Sequence, residues 1–348
     1  MQRRSFFTSL GLFFASVLIT VSCTQSPTPS DSPTTATNGD DAKPVVMGFS
    51  AWPGWIPWQV TEEAGLFEAN GATVDLRWFD GYLDSINALT AGQLDANTQT
   101  LNDTISSVAA GSEQVIVLVN DNSTGNDKII VSEEIDSVED LQGKTVAVEE
   151  GTVDHFLLLL GLEEAGIDPA QVTIQPLETG AAAAAFVAGQ VDAVGVFAPF
   201  TTKALEREGS KELFSSADFP GAIPDHLVVS RQLLEERPEQ VQAMVDSWFA
   251  TLGYIEENQS EAYEIMAKRA GVSVEEYRDY DAGTTIFSLE DNLNAFEPGD
   301  DMESLSYAAQ RIGDFLVEND LIQEKPDLEM LFDDRFVKAY AESQGSAS

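Results

Sequence analysis

Short runs of Val, Ile and Leu alternate along this chain with longer helix-like stretches, and no other feature restricts the fold as much. The runs fall at 45–49, 74–79, 115–119, 128–131, 145–148, 172–175, 193–197 and 227–229. Several are continuously apolar, as strands covered on both faces are. Between them 58–69, 83–91, 154–165 and 181–188 read as helices. Alternation of this kind predicts an α/β fold with parallel sheets. After Val229 the pattern changes to long helices at 238–257, 261–270 and 304–319, a helical C-terminal region expected to pack back on the sheets.

One string occurs twice. Ala91-Gly92-Gln93-Leu94-Asp95-Ala96 returns as Ala188-Gly189-Gln190-Val191-Asp192-Ala193. In both places a helix ends, a Gly follows it, and a strand begins. Two similar α/β lobes explain the echo. With 348 residues, 43% of them apolar, the chain can bury two cores. Its 59 Asp and Glu against 18 Lys and Arg give a formal net charge of −41. Nucleic acid and anionic lipid repel such a chain, so no nucleic-acid partner is expected. A single Cys excludes an internal disulfide framework, a Cys-based zinc site and a four-Cys iron–sulfur cluster. His155 and His226 are too few for a multi-His metal site. No metal and no cofactor is expected.

The N-terminus reads as an address followed by an anchor. Arg3 and Arg4 precede an uncharged, mostly apolar stretch at 5–19, the length of a signal core and short for a spanning helix. Thr20-Val21-Ser22-Cys23 then resembles a lipoprotein cleavage site, although Leu is usual where Thr20 stands. Residues 1–22 are therefore expected to be a signal peptide and Cys23 the lipidated residue; an ordinary signal with an incidental Cys is the other reading. Arg3-Arg4-Ser5-Phe6-Phe7 faintly resembles a twin-arginine signal, with Sec export the alternative. Residues 23–44, rich in Ser, Thr, Pro and Asp, are expected to be a flexible linker.

Four stretches carry a family resemblance. They are Glu62-Glu63-Ala64-Gly65-Leu66-Phe67, the repeated Ala-Gly-Gln-x-Asp-Ala string, Asp140-Leu141-Gln142-Gly143-Lys144-Thr145-Val146-Ala147, and 192–199. In order and spacing the chain resembles, over roughly 45–320, the ABC-transporter substrate-binding proteins of the nitrate/sulfonate/taurine/bicarbonate type, a group that also holds thiamine-precursor binders. It is also similar to a subgroup associated with guanidine-responsive operons. The resemblance implies a two-lobe periplasmic-binding-protein type II fold with two crossover strands and a ligand in the cleft. Lobe 1 would be 45–127 plus 228–348 and lobe 2 would be 128–227, with crossovers near 126–131 and 224–229.

Ligands of parallel α/β sheets sit beyond the C-terminal ends of the strands, so the loops there carry the candidate site. The first holds Trp52 and Trp55 around Pro53-Gly54, with Trp58 just beyond. The others offer Asp80, Asp103, Asp127, Glu150, Asp154, Phe197 and Asp225, with Lys128 the one base nearby. Asp80, Asp103 and Asp154 lie at or near helix starts, where they would oppose the dipole that attracts an anion; simple N-capping is the alternative role. Trp faces attract cations, and a guanidinium stacks on them while its N–H groups fork onto carboxylates. The alternative for the Trp residues is a place in the core.

No G-x-S-x-G, P-loop or G-x-G-x-x-G is present, and no catalytic residue is assigned. The reading is a receptor, not an enzyme: a lipid-anchored monomer on the periplasmic face of the inner membrane or the cell surface. It would capture a small-molecule ligand and pass it to an ABC permease and ATPase, closing by hinge motion. The preferred ligand is a small planar cation such as guanidinium. An alkyl sulfonate, taurine or nitrate is the runner-up. An exported carboxylate/His enzyme and a solute-sensor subunit are the rivals of another class.

Overall fold

Two sheets joined by two chain crossings form the frame. The computed structural model describes residues 43–346, so the expected signal peptide, Cys23 and nearly all of the linker lie outside the described residues. The strands are β1 Val45–Phe49, β2 Val74–Trp78, β3 Ala96–Thr100, β4 Gln114–Ser123, β5 Asp127–Val131, β6 Thr145–Val148, β7 Thr173–Pro176, β8 Ala193–Phe197, β9 Lys211–Ser215, β10 Pro224–Ser230 and β11 Thr284–Ile286. The larger sheet runs β11-β4-β10-β3-β1-β2 and the smaller β7-β6-β8-β5-β9. Each has three parallel strands at one end, β3-β1-β2 and β8-β6-β7. Antiparallel strands continue both sheets on the other side: β10 pairs with β3 and β4, and β5 with β8 and β9.

The inner apolar runs became strands covered on both faces, whereas β2 and β7, at the sheet edges, are partly exposed. Val115 to Val119 and Leu227 to Val229 are all buried, as are Ile129, Ile130 and Val131. The chain crosses between sheets at 124–126 and 216–223, just before the strands at the expected 126–131 and 224–229. Asp127 belongs to the smaller sheet, and 224–227 belong to the larger. Ser216 ties the two crossings: its hydroxyl meets that of Ser123 at 2.7 Å and accepts from Gly125 N at 2.8 Å. Gly125 has φ 140°, a conformation that residues with a Cβ avoid.

The echo forms the same corner twice. Gly92 and Gly189 both have φ 69°. The Asp95 carboxylate accepts from Val46 N at 2.9 Å, and Asp192 accepts from Thr145 N at 2.9 Å. In return Asp95 N donates to Val46 O at 2.8 Å and Asp192 N to Thr145 O at 3.0 Å.

Three strands had no apolar run to announce them. Ala96–Thr100 is buried throughout but reads ANTQT. Its side chains bond one another and their neighbours: Asn97 Nδ2 donates to Ser85 Oγ at 3.0 Å, and Gln99 Nε2 to Thr104 Oγ1 at 3.2 Å. β9 is a half-exposed strand at the end of the smaller sheet, and β11 is three residues long.

The C-terminal helices do pack back on the larger sheet. Trp58 stacks on Phe67 at 5.7 Å and meets Trp248, from the helix Pro238–Glu257, at 4.8 Å. All three rings are buried, so Trp58 is a core residue.

Candidate functional site

The chain leaves β1 through a tight turn. Trp52 N donates to Ser50 O at 2.8 Å, and Trp55 N to Trp52 O at 3.0 Å. Pro57 then starts the helix Pro57–Glu63, where its missing N–H costs nothing. The turn is held from two sides. Trp52 Nε1 donates to Asp121 Oδ1 at 2.9 Å, and Tyr277 Oη donates to Pro53 O at 2.9 Å. A Cβ on Gly54 would lie 1.9 Å from Asp121 Oδ2, so the close approach requires glycine.

Four rings close into a box. Trp52 meets Trp55 with centroids 6.4 Å apart, Trp55 meets Tyr82 at 5.1 Å, Tyr82 meets Phe197 at 6.3 Å, and Phe197 meets Trp52 at 6.2 Å. Phe197 ends β8 of the smaller sheet, whereas the other three follow strands of the larger one. The box therefore spans the cleft. Together with Thr100, Asp127, Val153, Ile223 and Asp225 it lines a tight pocket of about 10 Å³, room for about one water. Strand register delivers the acids: Asp127 pairs with Phe197, and Asp225 with Thr100 on one side and Asp121 on the other.

Six carboxyl groups are buried around this space: Asp103, Asp121, Asp127, Glu149, Asp154 and Asp225, none more than 4% exposed. Burial pushes Asp103, Asp127 and Glu149 up to about 7. It raises Asp154 further, helped by the neighbouring charges of Glu149 and Asp127. Asp121 and Asp225 are both raised by burial; the Asp121 charge raises Asp225 further, whereas Asp225 acts to lower Asp121. Both Asp225 oxygens and Asp127 Oδ2 have no hydrogen-bond partner, and neither does Trp55 Nε1. Among the described residues no Lys or Arg lines the pocket. So many buried acids without a base favour either bound protons or a cationic guest.

The sequence-predicted residues divide into three groups. Trp52, Trp55, Asp127, Phe197 and Asp225 come together on the pocket wall. Asp103 and Asp154 are buried beside it and committed to other bonds. Asp103 accepts from Thr100 Oγ1 at 2.7 Å and Asn102 Nδ2 at 2.9 Å, and Asp154 Oδ2 accepts from Thr179 Oγ1 at 2.9 Å. Asp80 and Glu150 stand outside. Asp80 is exposed and accepts from Trp78 Nε1 at 2.8 Å, and Glu150 points to solvent. Sequence reasoning missed Tyr82, Asp121 and Glu149, each of which lies in or beside a loop it had singled out. His226 is buried between strands of the larger sheet, and burial pushes it down to about 3, so it is neutral there. Among the described residues no group of side chains could hold a metal ion, and no helix is long and apolar enough to cross a membrane.

Known proteins agree with this architecture. A putative binding protein of Brucella abortus is 30% identical over 211 residues, 59% of this chain and 65% of that protein. The taurine-binding periplasmic protein of Escherichia coli is 34% identical over 183 residues, 51% of this chain and 56% of that one. The matches thus span less than two thirds of these relatives' length. The crystal structure of the periplasmic aliphatic sulphonate binding protein of Escherichia coli superimposes with a TM-score of 0.66 at 24% identity, covering 82% of this chain and 96% of that one. The fold is accordingly the two-lobe, type II periplasmic-binding-protein fold. A family model matches residues 38–271, and on that match the chain belongs to the NMT1-like family.

Proposed function

We propose that this protein is the extracytoplasmic solute receptor of an ABC importer, and that its ligand is a small planar cation of the guanidinium type. The receptor part draws support from the two-lobe fold and from relatives named for binding taurine and aliphatic sulfonates. On this reading a permease and an ATPase are the partners, and a lipid on Cys23 holds the protein at the outer face of the membrane. The observation that carries the ligand class is the four-ring box closed by Asp127 and Asp225. Ring faces attract a cation, and the unpartnered carboxylate oxygens accept the N–H groups that a guanidinium presents in its own plane. A sulfonate there would meet two carboxylates and no base.

The relative named for taurine favours a second reading, a taurine or sulfonate receptor of the same class. Titration calorimetry separates them. Guanidinium should release heat with saturable binding, whereas taurine and nitrate should not. Tight binding of either anion with no guanidinium signal would overturn the cation reading. Turnover of a bound solute would overturn the receptor reading.

A further inference from the structure

Two helices open on the pocket with their N-termini. Tyr82–Thr90 follows a strand of the larger sheet, and Val153–Glu164 follows a strand of the smaller one. Their first residues, Tyr82 and Val153, line the pocket. Neither helix is capped by its own N-cap side chain, Gly81 in one and Thr152 in the other. The backbone N–H groups of such uncapped ends carry partial positive charge and bind anions readily.

Both ends are occupied, and each by the opposite lobe. Leu83 N, in the first turn of the helix on the larger sheet, donates to Glu149 Oε1 of the smaller-sheet lobe at 3.4 Å. The backbone N–H of Val153, which starts the helix on the smaller sheet, favours the charged form of Asp103 of the larger-sheet lobe. The exchange is reciprocal. Further bonds fix both acids. Asp103 is also held by Thr100 and Asn102. Glu149 Oε2 accepts from Thr179 Oγ1 at 3.1 Å.

We infer that Asp103 and Glu149 determine the sign of the ligand, because they fill from within the protein the two helix N-termini where an anion would otherwise be received. The same two contacts clasp the lobes together across the pocket. This rests on the proposed cation reading and gives it a positional cause. Asp127 and Asp225 contact the guest, while Asp103 and Glu149 deny an anion its anchoring points.

The test uses the full chain, the double variant Asp103→Ala/Glu149→Ala, and the milder Asp103→Asn/Glu149→Gln should the first not give a cooperative thermal transition. Taurine, nitrate and guanidinium are titrated into each by calorimetry. The wild type should bind neither anion. The double variant should bind taurine or nitrate at least tenfold more tightly than the wild type, with an affinity that falls as salt is added. A folded double variant with no gain for either anion would overturn the inference and leave the cation reading standing. Tight anion binding by the wild type would overturn the cation reading, and with it the sign-setting role.

Discussion

Asp225 on β10 stands directly opposite Asp121 on β4, two buried carboxyl groups made neighbours by strand register. Burial and the neighbouring Asp121 charge favour a proton on Asp225, so the two ionise together only when a cation supplies the counter-charge. Asp225→Asn separates the two consequences. Guanidinium binding should weaken by about 2–5 kcal/mol, about thirty- to several-thousandfold. At about pH 8 the thermal midpoint of the ligand-free variant should rise above that of the wild type. Calorimetric titration and differential scanning calorimetry read the two effects. Weaker binding with a lower midpoint would mean that Asp225 is merely structural.

The pH profile of stability follows from the raised carboxyl groups. Asp103, Asp127 and Glu149 titrate at about 7 in the folded chain and near 4 when unfolded. The folded state therefore holds more protons between these limits. Their contribution to stability is fully present below about pH 4 and is lost as pH rises through about 7. Thermal midpoints of the ligand-free protein should fall by at least about 4 °C from pH 5 to pH 8. Low-millimolar guanidinium should flatten the decline. A midpoint that climbs over this range would show the carboxyl groups to be ionised and paired.

Phe197 is the ring contributed by the smaller sheet, and Phe197→Leu keeps an apolar side chain there while removing the π face. Binding of guanidinium should weaken by about 0.5–2 kcal/mol, or about two- to thirtyfold. Direct titration measures this. Unchanged affinity would place the cation away from the box.

The turn at 52–55 is held by a glycine and a distant hydroxyl. Gly54→Ala drives a methyl group into Asp121 and should cost about 1–3 kcal/mol of stability. Tyr277→Phe removes the donor to Pro53 O and should cost about 0.5–1.5 kcal/mol. Urea midpoints report both. The Tyr277 variant should also bind guanidinium more weakly, although its ring is no part of the box.

Much of this was legible in the residues themselves. Continuous apolar runs marked the buried strands, the repeated string marked two equivalent corners, and the Trp turn and one-signed loops pointed to the pocket. What stayed hidden depended on orientation. Glu149 and Glu150 are adjacent acids after β6, and nothing in their order says that Glu149 turns inward to Thr179 while Glu150 meets water. β3 escaped notice because its burial is supported by amide and hydroxyl bonds and not by apolar side chains. Asp121 is conspicuous only once β10 sets Asp225 against it.

The twice-formed corner bears on how such a protein changes its cargo. Asp95 and Asp192 fasten each lobe's helix-to-strand turn by the same pair of backbone bonds. Neither touches the pocket. The repeated frame thus stands apart from the pocket, whose lining sits on the Trp turn, at helix starts and beside the crossings. On the proposed receptor reading, a lineage built on this frame can exchange one solute for another, even one of opposite charge, by rewriting a few positions at the cleft while its folding instructions pass on untouched.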